Sequence, residues 1–214
     1  MAATIRDVAR KANVSVATVS RFVNGTHKVR GETAERVKEA IAELDFRPNA
    51  VGRSLSTSHT KSLGVVIPSI SNPVFSEAVA GITNEAKQQG YSLMLTSTNY
   101  DPEEEQSVVE TLLENRVDGV LLTVADPENS AALDMLRNAR TPFFLIYNQP
   151  VEQTPTVTVD NVLAGQEVAE QFAVLGHTRL GMISGRFTTS DRALARKNGF
   201  LKGAANLKLP APVI

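Results

Sequence analysis

The chain has 214 residues, of which 42% are hydrophobic; 22 Lys plus Arg nearly balance 23 Asp plus Glu, and there is no Cys or Trp. This is the composition of a folded globular chain of one or two domains, and the lack of cysteine excludes a disulfide framework, thiolate metal sites and thiol nucleophiles, as fits a reducing compartment. No stretch approaches the roughly 18 apolar residues of a membrane span, and Arg6, Asp7 and Arg10 stand where a secretory signal needs an apolar core, so the expected location is the cytoplasm, off the membrane.

The charge is segregated. Residues 1–60 hold ten Lys/Arg and six Asp/Glu, a balance of +4, and residues 61–214 hold twelve and seventeen, a balance of −5. A basic front on an acidic body points to a polyanionic partner for the front segment alone.

Thr4 is suited to cap a first helix with Asp7 at the third helical position, and Ile5, Val8 and Ala9 then share a face. Asn13 tolerates the left-handed backbone of a tight turn, and Ser15 offers a second cap with Thr18 three residues on. Two helices of about eight residues joined by a tight turn make a helix-turn-helix. In the second, Val19, Phe22 and Val23 point inward, leaving Val16, Ala17, Ser20, Arg21 and Asn24 outward. A third helix carries Val37, Ala40, Ile41 and Leu44 on one stripe, with Glu35, Arg36, Lys38, Glu39 and Glu43 outside it, and braces the other two. Pro48 can open a short helix over 49–55; two turns with Gly52 inside them are too few to stand alone in water, so this segment is expected to fold only against a partner. Residues 56–62 contain no apolar side chain and read as a linker.

After residue 62, apolar runs at 63–67, 91–96, 119–124, 143–147, 157–159 and 180–183 alternate with helical patterns around 74–89, 103–115, 128–139, 161–175 and 192–206. That alternation predicts parallel βαβ units, an α/β domain.

Thr4-Ile5-Arg6-Asp7-Val8-Ala9, Val14 to Arg21, Asn24, then Phe46-Arg47-Pro48-Asn49 and Arg53-Ser54-Leu55 closely resemble the amino-terminal signature of the LacI/GalR family of bacterial transcriptional regulators. The resemblance implies an α/β chain: a three-helix DNA-binding head at 1–46, a hinge helix and linker at 47–61, and a periplasmic-binding-protein-like core. The first core subdomain would cover 62–160 and the second would begin at 161–214. It also implies a repressor that acts as a homodimer on double-stranded operator DNA under a sugar-like small-molecule effector, with no cofactor or metal. Val16 and Ala17 fall at the family's base-reading positions with Arg21 beside them, and Thr4, Ser15, Thr18, Ser20 and Asn24 at contact positions. Lys28 and Arg30 are placed to touch phosphate; Arg30 stands where the family usually has a capping Ser. Asn49, Gly52 and Leu55 belong to the hinge, with Leu55 matching a leucine that wedges into the minor groove. The resemblance further implies more strands than the sequence holds, so the second subdomain is expected to be incomplete, as a fragment, a truncated product or a short member would be.

Ligands of open parallel sheets bind beyond the carboxyl ends of the strands. There the sequence offers Val74 and Phe75 as an apolar platform, Asn148 and Asp160 as polar partners, and Arg192 with Arg196 one helical turn on; Arg196 matches a family effector-binding arginine. Asp101, Asp126 and Asp160 have helix capping as an alternative role, and Arg192 a surface pairing with Asp191 or Glu167. No phosphate loop, nucleophile elbow or dinucleotide fingerprint is present, and His27, His59 and His177 are scattered, so no enzyme is expected. The competing reading is a cytoplasmic or periplasmic-type small-molecule binding protein without a DNA role, or an inactive truncated regulator.

Overall fold

In the computed structural model the described residues are 3–25, 29, 31–46 and 59–214. Lys28, Arg30, Asn49, Gly52 and Leu55 lie outside them. The chain forms two compact units, Met1–Thr60 and Lys61–Ile214.

The first unit holds α1 (Ile5–Lys11), α2 (Val16–Asn24) and α3 (Glu32–Glu43). Thr4 closes a full capping box: its hydroxyl accepts the Asp7 N–H at 3.4 Å, while Asp7 Oδ2 accepts the Thr4 N–H at 3.0 Å. Asn13 makes the turn at φ 53°, and Ser15 Oγ accepts the Thr18 N–H at 3.1 Å to start α2, as the sequence predicts. Val8, Val19 and Val37 are fully buried with Ala9, Ala12 and Ala40, and Ile5, Phe22, Ile41 and Leu44 pack around them. At about 2 kcal/mol for each buried valine, this small core supplies most of what holds three short helices together. An ion pair of 2.6 Å from Lys11 to Glu43 ties α1 to α3 at the surface.

One expectation shifts by a residue. The cap position of α3 is Gly31 rather than Arg30, at φ 65° and ψ −148°, with no side-chain cap. That backbone region suits glycine, and glycine has no oxygen with which to cap.

The second unit alternates β1 (Ser62–Ile67), α4 (Pro73–Gln88), β2 (Ser92–Ser97), α5 (Pro102–Glu114), β3 (Gly119–Leu122), α6 (Ala131–Asn138), β4 (Phe143–Ile146), β5 (Thr156–Val157), α7 (Asn161–Val174) and α8 (Asp191–Asn206). The five strands form one parallel sheet in the order β2-β1-β3-β4-β5. Strand periodicity divides β1 between two cores. Val66 faces Val109, Leu112, Leu133 and Leu136 of α5 and α6, while Val65 and Ile67 face Phe75, Val79 and Ile82 of α4. Both faces are covered, which is why the strands read as unbroken apolar runs.

The run at 180–183 is not a strand. Gly181 makes a single parallel bridge to Val213, with the Met182 N–H donating to the Val213 carbonyl at 2.8 Å. A strand needs a ladder of partners, and apolar sequence alone does not provide one. Behind it α7 and α8 pack backbone against backbone: a methyl group at Gly199 would overlap the Val162 carbonyl, and one at Gly165 the Arg196 carbonyl.

Candidate functional site

The side chains expected to be functional lie on two surfaces, one in each unit. On the head, α2 buries Val19 and turns Val16, Ala17 and Arg21 to solvent, Val16 being 43% exposed. The flanking polar side chains hold one another: Ser15 Oγ meets Thr18 Oγ1 at 2.9 Å, and Asn24 Nδ2 donates to Ser20 Oγ at 3.2 Å. Thr4 is exposed and engaged with Asp7, which lowers the Asp7 carboxyl below its usual value, mainly through that side-chain hydrogen bond. The result is an uncharged flank with one long cation, small enough at its amino end for close approach to a flat partner.

In the second unit, the sheet order places the reversal of winding direction between β1 and β3, and loops from the carboxyl ends of the strands gather there. A cavity of about 250 Å³ is lined by Asn72, Val74, Phe75, Tyr100, Tyr147, Val159, Asn161, Ser190, Arg192 and Arg196. Asn72 caps α4 with its side chain on the Val74 N–H, which fixes the entry of Val74 and Phe75. Phe75 meets Tyr147 edge to face at 5.6 Å, and Tyr147 Oη donates to the Val74 carbonyl at 3.3 Å. Arg196 Nη1 donates to Asn161 Oδ1 at 2.6 Å. A second, more open cavity of about 670 Å³ shares Tyr100, Ser190 and Arg196 and adds Arg186 from the loop before α8.

Four of the six cleft residues expected from sequence, Val74, Phe75, Arg192 and Arg196, meet in the smaller cavity. Two do not. Asp160 is exposed and caps α7, its Oδ1 accepting the Leu163 N–H at 2.9 Å. Asn148 is wholly buried and pins β3 to the next loop, accepting from the Val124 N–H at 3.0 Å and donating to the Val124 carbonyl at 2.8 Å. Asp160 is spent on a backbone N–H, as Asp101 is on α5, where it accepts the Glu103 N–H, and Asn148 on the Val124 backbone and the Asp191 carboxylate. Asp126 instead holds a turn, accepting from the Glu128 and Asn129 N–H groups.

Arg192 is not a surface residue. It is 7% exposed, and its neighbour Asp191 anchors the start of α8 by accepting the Gln149 N–H at 2.6 Å and Asn148 Nδ2 at 3.1 Å. Burial lowers the Arg192 guanidinium from its usual range, opposed first by the charge of Asp191. Glu105 of α5 is 3% exposed, and its Oε1 accepts the Ala125 N–H at 2.8 Å; burial pushes its carboxyl up to about 7.

Tyr100, Tyr147 and Glu105 did not stand out in the sequence. Tyr147 ends the apolar run of β4, where cleft residues belong. Glu105 lies four and seven residues before the buried Val109 and Leu112, on their stripe of α5, and a charge on an apolar stripe is a readable signal. Among the described residues no cluster of His, Asp and Glu could hold a metal ion, and no helix is long and apolar enough to cross a membrane.

Known proteins share both units. Residues 4–49 match the family described as bacterial regulatory proteins, lacI family, and residues 60–210 that described as periplasmic binding proteins and sugar binding domain of LacI family. Catabolite control protein A of Streptococcus mutans is 37% identical over 208 residues, which are 97% of this chain and 62% of that protein. A LacI-family transcriptional regulator from Silicibacter pomeroyi is similar in structure, with a TM-score of 0.83 and 28% identity. The lac repressor dimer bound to operator and the anti-inducer ONPF gives 0.82 and 26%; both alignments cover 99% of this chain and 64% of the other. The chain thus spans less than two thirds of the length of these relatives.

Proposed function

Because the chain belongs to the LacI family of bacterial regulatory proteins, we propose that it is a DNA-binding transcriptional regulator, a repressor controlled by a small-molecule effector. The observation that carries this reading is the outward face of α2, where Val16, Ala17 and Arg21 stand clear of a packed three-helix head. Val16 and Ala17 have no hydrogen-bonding side chains, so they read DNA by apolar contact, as with a thymine methyl, and by shape. Arg21 forks onto guanine in the major groove and carries most of the direct discrimination. Thr4, Ser15, Thr18, Ser20 and Asn24 set the register through groove and phosphate contacts, and the hinge assignments of Asn49, Gly52 and Leu55 stand on the sequence.

The second unit is the effector receptor in this reading. Its cavity joins an aromatic wall, Phe75 and Tyr147, to amides and guanidinium groups, which suits a ring-shaped ligand with polar substituents. Two subunits present two heads to a pseudo-palindromic site, and effector changes operator affinity by favouring one arrangement of the core over another. The site of action is the cytoplasm, where the operator is, and no catalytic role is assigned to any residue.

The test is a selection of genomic DNA fragments on the folded chain, followed by competition against scrambled duplex at physiological salt. A selected pseudo-palindrome retained far better than its scrambled counterpart supports the proposal. Equal retention of both on folded protein removes it and favours a ligand-binding protein without a DNA role.

A further inference from the structure

We propose that the effector of this chain carries a negatively charged group, a phosphate or a carboxylate on a sugar-sized molecule, and that Arg192 receives it. The inference rests on reading the second unit as an effector receptor and adds the chemical class of the ligand.

Arg192 is 7% exposed, yet neither Nη1 nor Nη2 has a hydrogen-bond partner among the described residues. A buried cation that serves only the fold is normally ringed by carbonyl and carboxylate oxygens, because leaving it unpaired is costly. The nearest acid does not meet that need. Asp191 Oδ1 lies 3.5 Å from Nη1, close enough for partial charge compensation but without an aligned hydrogen bond. Its carboxylate is committed elsewhere: Oδ2 accepts the Gln149 N–H and Asn148 Nδ2, and Oδ1 accepts the backbone N–H of Arg192 itself.

The surroundings sharpen the demand for an anion. Arg196, exposed and bonded to Asn161 Oδ1, lines the same cavity one turn further along α8, so two arginines belong to one wall, and no Asp or Glu is among its ten residues. Glu105 contributes only a weak field, since it lies outside that wall and is bonded to the Ala125 N–H. Arg192 is the second residue of a 16-residue helix, whose amino end adds positive potential of its own. Neutral hydroxyls can satisfy donors but not two charges; a phosphate or carboxylate satisfies both. The body as a whole is acidic, so an anionic ligand here depends on local cations.

The experiment is a thermal-shift series on the full 214-residue chain, wild type and R192M, in buffer of constant ionic strength. The probes are matched pairs, ribose with ribose 5-phosphate and glucose with glucuronate, together with inorganic phosphate. Either anionic sugar is expected to raise the wild-type Tm more than its neutral partner does, and which of the two does so separates phosphate from carboxylate. R192M is expected to raise the probe-free Tm by removing a buried charge that lacks hydrogen-bond partners, and to weaken anion binding roughly ten- to a hundredfold. R192Q, which keeps amide donors without the charge, is expected to lose the preference for the anionic member of each pair. The proposal is overturned if none of the anions shifts the wild type more than the neutral sugars do. It is equally overturned if the shifts are the same in the variants, or if R192M and R192Q both lower the probe-free Tm, which would make the guanidinium structural. Operator retention on the same preparations separates the two readings: losing it while Arg192-dependent anion binding persists removes the regulator and leaves this site.

Discussion

Glu105 makes the stability of the second unit depend on pH in a direction opposite to that of most carboxylates. Its side chain lies in the α5 stripe that packs under the sheet, 3% exposed, with one hydrogen bond, from the Ala125 N–H. Burial raises its pKa from the usual 4.5 to about 7; the Ala125 bond and Arg192 pull it down, and Asp101 and Asp126 push it further up. Between these two values the folded chain holds a proton that the unfolded chain has released, so stability falls as pH rises and the loss is complete above about 7. At 1.36 kcal/mol for each pH unit the full loss is about 3 kcal/mol. Replacing Glu105 with Gln keeps an oxygen for Ala125 and removes the titration. The unfolding free energy of E105Q relative to wild type should therefore rise by about 2 to 3 kcal/mol between pH 5 and pH 8. Urea titrations followed by tyrosine fluorescence report this unit selectively, because the chain has no tryptophan and its three tyrosines, Tyr91, Tyr100 and Tyr147, all lie within Lys61–Ile214. A constant difference between the two proteins across that range would show that Glu105 does not titrate there, and the reasoning from burial would fail.

Arg21→Ala should cost about 1 to 3 kcal/mol in specific operator binding and flatten sequence preference; unchanged selectivity in competition gel shifts would remove Arg21 from base reading. Asp7 titrates the other way from Glu105. Its carboxyl is held low by Thr4, so its contribution to the head is present above its ordinary value of 3.8 and is lost as pH falls through the lowered one. Amide resonances of residues 8–12 should accordingly lose dispersion at higher pH in D7N than in wild type. Gly199→Ala should destabilise by about 1 to 3 kcal/mol, because the new methyl meets the Val162 carbonyl. Gly81→Ala in α4, which meets nothing within 4 Å, should instead stabilise by about 0.5 to 1 kcal/mol. Equal effects of the two in chemical denaturation would refute the close α7–α8 approach as the cause.

Much of the local structure was legible along the chain because its causes are local. Thr4 with Asp7 and Ser15 with Thr18 cap helices through partners three residues away, and such pairs form wherever the backbone is helical. The faces of α2 follow from its period, and the parallel sheet from the length and spacing of apolar runs. The miss at 180–183 has the opposite origin. Whether an apolar run becomes a strand depends on what lies beside it, and here that is a single bridge to Val213.

The cleft shows the division most clearly. Sequence alone determined a basic helical head, an acidic parallel α/β body, and the short list of side chains at the carboxyl ends of the strands, because composition and periodicity act on neighbours in the chain. Which of those side chains face the cavity was decided only by tertiary packing. Asn148 is polar and well placed along the chain, yet the Val124 backbone and the Asp191 carboxylate, brought close by the fold, claim it; Asp160 is the exception, held by the local cap of α7. Arg192 reads in sequence as a cleft candidate with surface pairing as its alternative, and its burial comes only from the glycine-lined approach of α7 and α8 and the anchoring of Asp191 to the β4 loop. Desolvation and pairing depend on what surrounds a group in three dimensions, and that information resides in no single segment of the chain.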